Sequence, residues 1–325
     1  MTNVATTSGT GGRSLVYVHG RDFKPGADAV LELSIAAISA GIERDVEDRI
    51  DEFQSISKRI AYYGDLANEY LAARGASYDE KLDLGDRRNA LKLLQANVRR
   101  KDFNLSRYDR LPGKTAVAEF AADVAAPVLG AIGLSDILIG KVAPDVAEYW
   151  NKRNKNFRDS VRERIRTAIC ASLDRDDDVL LLSHGSGCIA TYDVLWQLSH
   201  DKRWRDQYAE KKIDTWVTMG SPLADSTVRR RILGAGAAQR ERFPTNIVTW
   251  HNMSAEDDYL CHDNTCADDY NLMLKQRQVS SIRDYRVYNL AVRYGKSNPH
   301  SSLGYLVHPR LTLIVTDWLS RTSSA

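Results

Sequence analysis

Long apolar runs are missing from this chain of 325 residues. Its most apolar region, "AVAEFAADVAAPVLGAIGLSDILIGKVAP", is free of charge only from Val124 to Ser135 and is broken by Pro127 and several glycines. That falls short of the roughly 20 apolar residues a membrane-spanning helix needs, so no transmembrane segment is expected. A buried or lid-like helix pair is the expectation here, with a lipid-facing surface as the alternative and peripheral membrane contact as its consequence. Cysteine is scarce as well: Cys170, Cys188, Cys261 and Cys266 are too few and too scattered for a disulfide scaffold, which fits a reducing, cytoplasmic setting. Charge of one sign is not in excess, with 45 Lys and Arg against 43 Asp and Glu, a net +2. Nucleic-acid binding normally needs a clustered basic face. The basic clusters present, "RRRIL" at 229–233 and "VRERIR" at 161–166, read as solvated helix faces. The opening "MTNVATTSGTGGRS" has neither a basic n-region nor an apolar core, so residues 1–13 are expected to form a flexible tail rather than a secretory signal. Internal repeats and low-complexity tracts are also absent.

Strands and helices alternate through much of what is there. "SLVYVHG" from Ser14 is a β-branched and aromatic run ending in His-Gly, as a buried strand entering a loop would read. Helical spacing follows from Ala27 to Phe53, with a break expected near Gly41, and a second strand is expected in "KRIAYYGDL". Residues 70–175 show helical spacing with no convincing strand and read as an inserted cap. Alternation then resumes with "DVLLLSHG", a helix through Trp196, "KIDTWVTMGSPL", "TNIVTWHNMSAEDDYL" and "YRVYNLAVRYG", and closes on a helix from about Pro309 to Ser320. The expected fold class is α/β: a mainly parallel sheet with helices on both faces, its core at 14–69 and 176–325 and the helical insertion at 70–175. Sites in such sheets form at the C-terminal ends of strands.

The motifs fall at those strand ends. In "VLLLSHGSGCIATYDVL" a strand runs through a sharp turn into a helix. Such a turn brings the residues two before and two after its centre into close contact, so both must be small. Centring on Gly185 places Ser183 and Gly187 there, whereas centring on Ser186 places His184 and Cys188 there, which is crowded. Gly185 is therefore the expected apex, where glycine adopts strained dihedrals at least cost. Ser186 then stands at the helix N-terminus. Two readings stay open for it: a nucleophile whose Oγ reaches the site from a turn relaxed by Gly185, or a capping serine. Ser183, on the strand side, is the weaker candidate nucleophile.

His19-Gly20-Arg21 follows the first strand, where a backbone N–H could stabilise charge developing on a carbonyl oxygen. "WHNMSAEDDYLCHD" offers Asp257, Asp258 and Asp263 as acids able to orient a histidine, with Asp258 preferred. Cys261, His262 and Cys266 lie in the same loop but lack a clear fourth ligand, so no metal is expected. No cofactor is expected either. His300 lies in a polar loop after the last strand and ahead of the last helix, where an imidazole could act as a general base. His308, at the start of that helix, reads as structural.

On "YVHG", "LLLSHGSGCIATYDVL", "VTMGSPL", "WHNMSAEDDYL" and "NPHSSLGYLVHPRLTLIVTDWL" the chain resembles the α/β-hydrolase superfamily, in particular its bacterial lipase- and esterase-like members, over about residues 14–69 and 176–321. The resemblance implies hydrolysis of carboxylic, including lipid-like, esters through an acyl-enzyme. It gives Ser186 as nucleophile, His300 as base, Asp258 as its acid, and backbone N–H groups around Gly20, Arg21 and Gly187 as an oxyanion hole. The departure from the family pattern is Gly185, which stands where the nucleophilic serine belongs in the turn Ser183-His184-Gly185-Ser186-Gly187. The alternative reading is therefore a catalytically inactive binding or scaffold protein on the same fold.

Overall fold

The apolar strand residues segregate by parity, and the two faces of the sheet follow from that. Leu15 and Tyr17, with Leu180 and Leu182, pack into one core; Val16 and Val18, with Val179 and Leu181, pack into the other. Successive side chains of a strand point to opposite faces, so a strand apolar at every position is one covered on both sides. The computed structural model describes residues 12–113, 144–151, 153–261, 263 and 265–321. The apolar run Val124–Ser135 and His262 lie outside the described residues.

Six strands, β1 (Arg13–Val18), β2 (Ser57–Ala61), β3 (Asp178–His184), β4 (Ile213–Met219), β5 (Ile247–Ala255) and β6 (Ser281–Val287), form one sheet in the order β2-β1-β3-β4-β5-β6. Every neighbouring pair is parallel. This is an α/β fold. The chain leaves β1 toward one edge of the sheet and β3 toward the other, so the strand order reverses between them, the switch-point crevice at whose C-terminal end open parallel sheets hold ligands.

Helices cover both faces. On the side of Leu15 and Tyr17 lie α1 (Ala27–Asp45) and, after α2 (Gly64–Ala73), whose Leu66 packs on the opposite face, α3 (Glu80–Asn97), the short α4 (Leu105–Tyr108) and, at the chain's end, α8 (Ser302–Leu306) and α9 (Pro309–Leu319). The opposite face carries α5 (Pro144–Tyr149), α6 (Lys155–Leu173) and α7 (Gly187–His200). Helix α6 falls within the segment expected to be an insertion, yet it buries Val161, Ile165 and Ile169 in the same core as β1 and β3. Helix α9 starts with Pro309 in its first turn, and the His308 side chain caps it by accepting from the Arg310 N–H at 3.0 Å.

One expected boundary is absent: α1 runs through Gly41 without a break. The glycine answers a packing need, since a Cβ there would lie 2.6 Å from Thr312 Oγ1 and 3.2 Å from the Val307 carbonyl oxygen. Without it, α1 could not approach the C-terminal helices this closely. Behind the site, Trp216 and Trp250 stack at 4.7 Å between ring centroids, and each indole N–H finds a hydroxyl, Ser183 Oγ at 2.9 Å and Thr218 Oγ1 at 3.0 Å. Among the described residues no helix is long and apolar enough to cross a membrane.

Candidate functional site

The crevice between β1 and β3 is where the expected site residues meet. Strand β3 ends in a turn whose apex is Gly185, at φ +53°, a left-handed conformation that a residue with a side chain adopts only under strain. The turn is pressed against the end of β1. A Cβ at Gly187 would overlap the His19 carbonyl oxygen, and one at Gly20 would lie 2.8 Å from His184 Nδ1. These glycines allow the two loops to touch backbone to backbone.

His300 reaches this turn from the loop ahead of α8. Its Nδ1–H donates to both oxygens of Asp258, at 2.9 and 3.0 Å. That bond fixes the tautomer and leaves Nε2 as an acceptor. Nε2 points at the apex: a Cβ built on Gly185 would stand 2.9 Å from it. Yet Nε2 itself is buried and has no hydrogen-bond partner. Asp258 is only 2% exposed. Besides His300 it accepts from Tyr305 O–H at 2.8 Å and from the Leu260 N–H at 3.1 Å. Tyr305, fully buried on α8, also accepts from the Ala255 N–H at 2.8 Å, so one phenol ties the acid to the end of β5. Burial, and then the neighbouring carboxylate, push the Tyr305 phenol well above its usual range, keeping it a donor.

The other two acids are directed elsewhere. Asp257 sits at φ +60° and its carboxylate accepts from Tyr108 O–H at 3.0 Å, a bond that ties α4 to the acid loop. Asp263 accepts from the backbone N–H and hydroxyl of Thr265 and closes its own turn. Cys261 and Cys266 are buried thiols, held protonated chiefly by burial. No cluster of metal-ligating side chains exists among the described residues.

Neither serine approaches the base. Ser183 is buried in the sheet, where its Oγ accepts from the Trp216 indole. Ser186 has helical dihedrals at the start of α7 and makes no side-chain capping bond. It is among the residues that line a small cavity with Tyr63 and Tyr149. His184 lies beneath the turn, with its Nε2–H donating to the His300 carbonyl at 2.9 Å and its ring 4.6 Å from that of His300. Burial, and secondarily the neighbouring His300, hold His184 well below the usual histidine range. His19 is likewise neutral: its Nδ1–H donates to the Gly20 carbonyl, its Nε2 accepts from the Tyr63 N–H, and burial lowers it to about 3.

Arg21, after Gly20, bonds Asp22 at 2.8 Å and the Tyr259 phenol, so a residue of the β1 loop and one of the acid loop meet beside the site. Tyr259 stands 6.4 Å from the His300 ring, centroid to centroid. Below the β1 loop the Lys24 ammonium donates to the carbonyls of Arg21, Asp22 and Phe23 and fixes the loop's path. Sequence reasoning missed Tyr305, Tyr259 and Lys24. Only Lys24 carried a signal, as a basic residue in the short loop directly after a motif.

Comparison with protein-family models, curated proteins and solved structures finds no match to this chain.

Proposed function

We propose that this chain is an α/β-hydrolase-fold protein that has kept the acid–base half of a serine-hydrolase site without its nucleophile, and that it binds a carboxylic ester or acid rather than cleaving an ester through an acyl-enzyme. One observation carries the reading. His300 Nε2 is a buried acceptor with no partner, aimed at a glycine in the position from which a serine would donate. An unsatisfied buried polar atom costs about 1–3 kcal/mol, a penalty that a ligand hydroxyl or protonated acid would relieve.

Two further features support it. Covalent catalysis needs a nucleophile within hydrogen-bond reach of its base, and Ser183 Oγ is taken by Trp216 while Ser186 caps nothing and lines a small cavity. At the start of α7 the Cys188 and Ile189 N–H groups bond the Gly185 and Ser186 carbonyls at 3.1 and 3.0 Å, which leaves the Gly187 N–H and the positive end of the helix facing outward. They suit the carbonyl or carboxylate oxygen of such a ligand.

The test is intact-mass analysis after a fluorophosphonate probe, on wild type and Ser186→Ala, beside an ester turnover assay. The expected result is no adduct and no turnover from the folded wild type. A single adduct lost in Ser186→Ala would make Ser186 the nucleophile and overturn the proposal, as would ester turnover without an adduct.

A further inference from the structure

The sheet face beneath α8 and α9 changes character toward β6. On β5, Met253 and Ala255 pack into the apolar core with residues of those helices, but His251 faces the same way from two residues earlier, and the parallel register sets Arg283 of β6 beside it. Side chains two apart on a strand share a face. Tyr285, Thr249 and, across on β4, Thr215 therefore belong to the same strip.

These residues bond one another. Tyr285 stacks on His251 at 5.8 Å between ring centroids, with its hydroxyl 3.1 Å from His251 Nδ1. The Arg310 guanidinium, from the first turn of α9, lies over the Tyr285 ring at 4.6 Å. At the other end of the strip Arg321, just past α9, donates to Thr215 Oγ1 at 3.4 Å, and Thr215 Oγ1 lies 3.2 Å from Thr249 Oγ1. Helical rise separates Arg310 from Arg321 by about 16 Å at Cα. Burial, and then the charges of Arg283, Arg321 and Arg310, lower His251 to about 4, so the imidazole lies within the field of all three cations.

Among the described residues none of these three guanidinium groups forms an ion pair with a carboxylate. Asp284, next to Arg283 in the chain, points to the opposite face and accepts from the Cys266 and Ala267 N–H groups at 3.1 and 2.8 Å. Asp317 is exposed on the same stripe of α9 as Arg310 and pairs with none of them. Three neighbouring cations without a counter-charge repel one another, and an anion laid along them relieves that.

We infer that this strip is a docking surface for an extended, acidic segment of a partner polypeptide. A single phosphate would need the cations to meet at one point, whereas these are strung along α9. In an extended peptide, side chains at alternate positions lie on one side about 6.7 Å apart, so three carboxylates span about 13 Å and match the row. Nucleic acid binds through a broad set of phosphate contacts, and the chain as a whole carries only +2. A flat bilayer would meet the exposed arginines but not His251, which is 7% exposed at the floor between them.

The experiment is fluorescence anisotropy of a labelled eight-residue peptide alternating Asp and Thr, beside its counterpart with Asn for Asp, a labelled DNA duplex, and a vesicle-binding assay with phosphatidylserine. Wild type, Arg283→Gln, Arg310→Gln, Asp317→Asn and Arg286→Gln are compared as full chains. Wild type is expected to bind the acidic peptide at least about ten-fold more tightly than the Asn peptide. Arg283→Gln and Arg310→Gln should each weaken it about three- to ten-fold. Asp317→Asn should tighten it about two- to three-fold, a gain that partial unfolding does not imitate. Arg286, exposed on the same strand but paired with Glu256 and of opposite parity, is the control and should be silent. Equal binding of the acidic and Asn peptides overturns the surface, as does an equal loss in Arg286→Gln, which would make the attraction one of overall charge. DNA or vesicles bound more tightly than the peptide, and released by Arg283→Gln, would overturn the choice of partner.

Discussion

On one side of the crevice, Asp258 receives hydrogen bonds from His300, Tyr305 and the Leu260 backbone, and Tyr305 is bonded in turn to Ala255. On the other side His300 Nε2 packs against Gly185, so closely that a Cβ there would lie 2.9 Å from it, and it has no hydrogen-bond partner, while the Ser183 hydroxyl is taken by Trp216. A purely structural histidine would not need this. A bond from Nδ1 to a carboxylate would pin the loop equally well with Nε2 turned to water or to a backbone donor. A histidine held through Nδ1, with Nε2 buried and unpartnered, is instead an arrangement that suits a donor from outside the chain. The same contrast separates the two polar environments near the turn: His19, bonded through both ring nitrogens, is part of the frame, whereas His300, bonded through one, is part of the site.

The frame can be broken from below by acid. His19 and His308 are buried and lowered to about 3, His19 beneath the turn and His308 capping α9. As pH falls through the ordinary histidine value near 6.5, the unfolded chain takes up protons that the folded chain refuses. The stability these groups contribute is therefore complete above about 6.5 and is lost on acidification. These two histidines together should lower the unfolding free energy by about 2–4 kcal/mol between pH 7 and pH 5, and His184 and His251, also held low by burial, add to that fall. Urea titrations at the two pH values check this; a flat profile would mean that these histidines are not held neutral.

Breaking the bonded side directly should cost nearly as much. Asp258→Ala strands the His300 Nδ1–H, the Tyr305 hydroxyl and the Leu260 N–H, and is expected to destabilise by about 3 kcal/mol in chemical denaturation. Tyr305→Phe is gentler. It removes one hydroxyl that serves Asp258 and Ala255, for about 1–2 kcal/mol, and should also move the Nδ1–H proton resonance of His300, which a loss of packing alone would leave in place. Ser186→Ala should be the mildest, within about 0.5 kcal/mol of wild type, because the hydroxyl caps nothing. A larger loss would show that Ser186 has a bonded role and would weaken the contrast between the two sides.

Much of the frame was legible from the sequence because parallel strands buried on both faces leave unbroken apolar runs, as in "SLVYV" and "DVLLL". The apex at Gly185 was legible from the size of its flanks: Gly187 has no room for a Cβ beside the His19 carbonyl. Gly41 was misread because a glycine within a helix pattern looks the same whether it breaks the helix or lets a neighbour approach; Thr312, far along the chain, decides. The choice among three acids was not legible in local spacing. Asp257 at φ +60° turns to Tyr108 and its neighbour Asp258 turns to His300, a difference of direction that sequence adjacency conceals. Tyr305 left no signal, because a tyrosine in an apolar helix reads as core until its hydroxyl finds a carboxylate.

The central claim is that the base is in place and only the oxygen is missing, and Gly185→Ser supplies it. The φ of +53° sets a folding cost of about 1–3 kcal/mol, and the new Cβ, which would lie 2.9 Å from His300 Nε2, has to push the imidazole back for the hydroxyl to sit beside it. Intact-mass analysis of Gly185→Ser after fluorophosphonate treatment is the direct measurement. The account predicts one adduct on that variant, abolished by adding His300→Gln, and none on wild type. A folded Gly185→Ser that stays unlabelled would contradict it, because His300 and Asp258 would then be holding loops together rather than waiting for a partner.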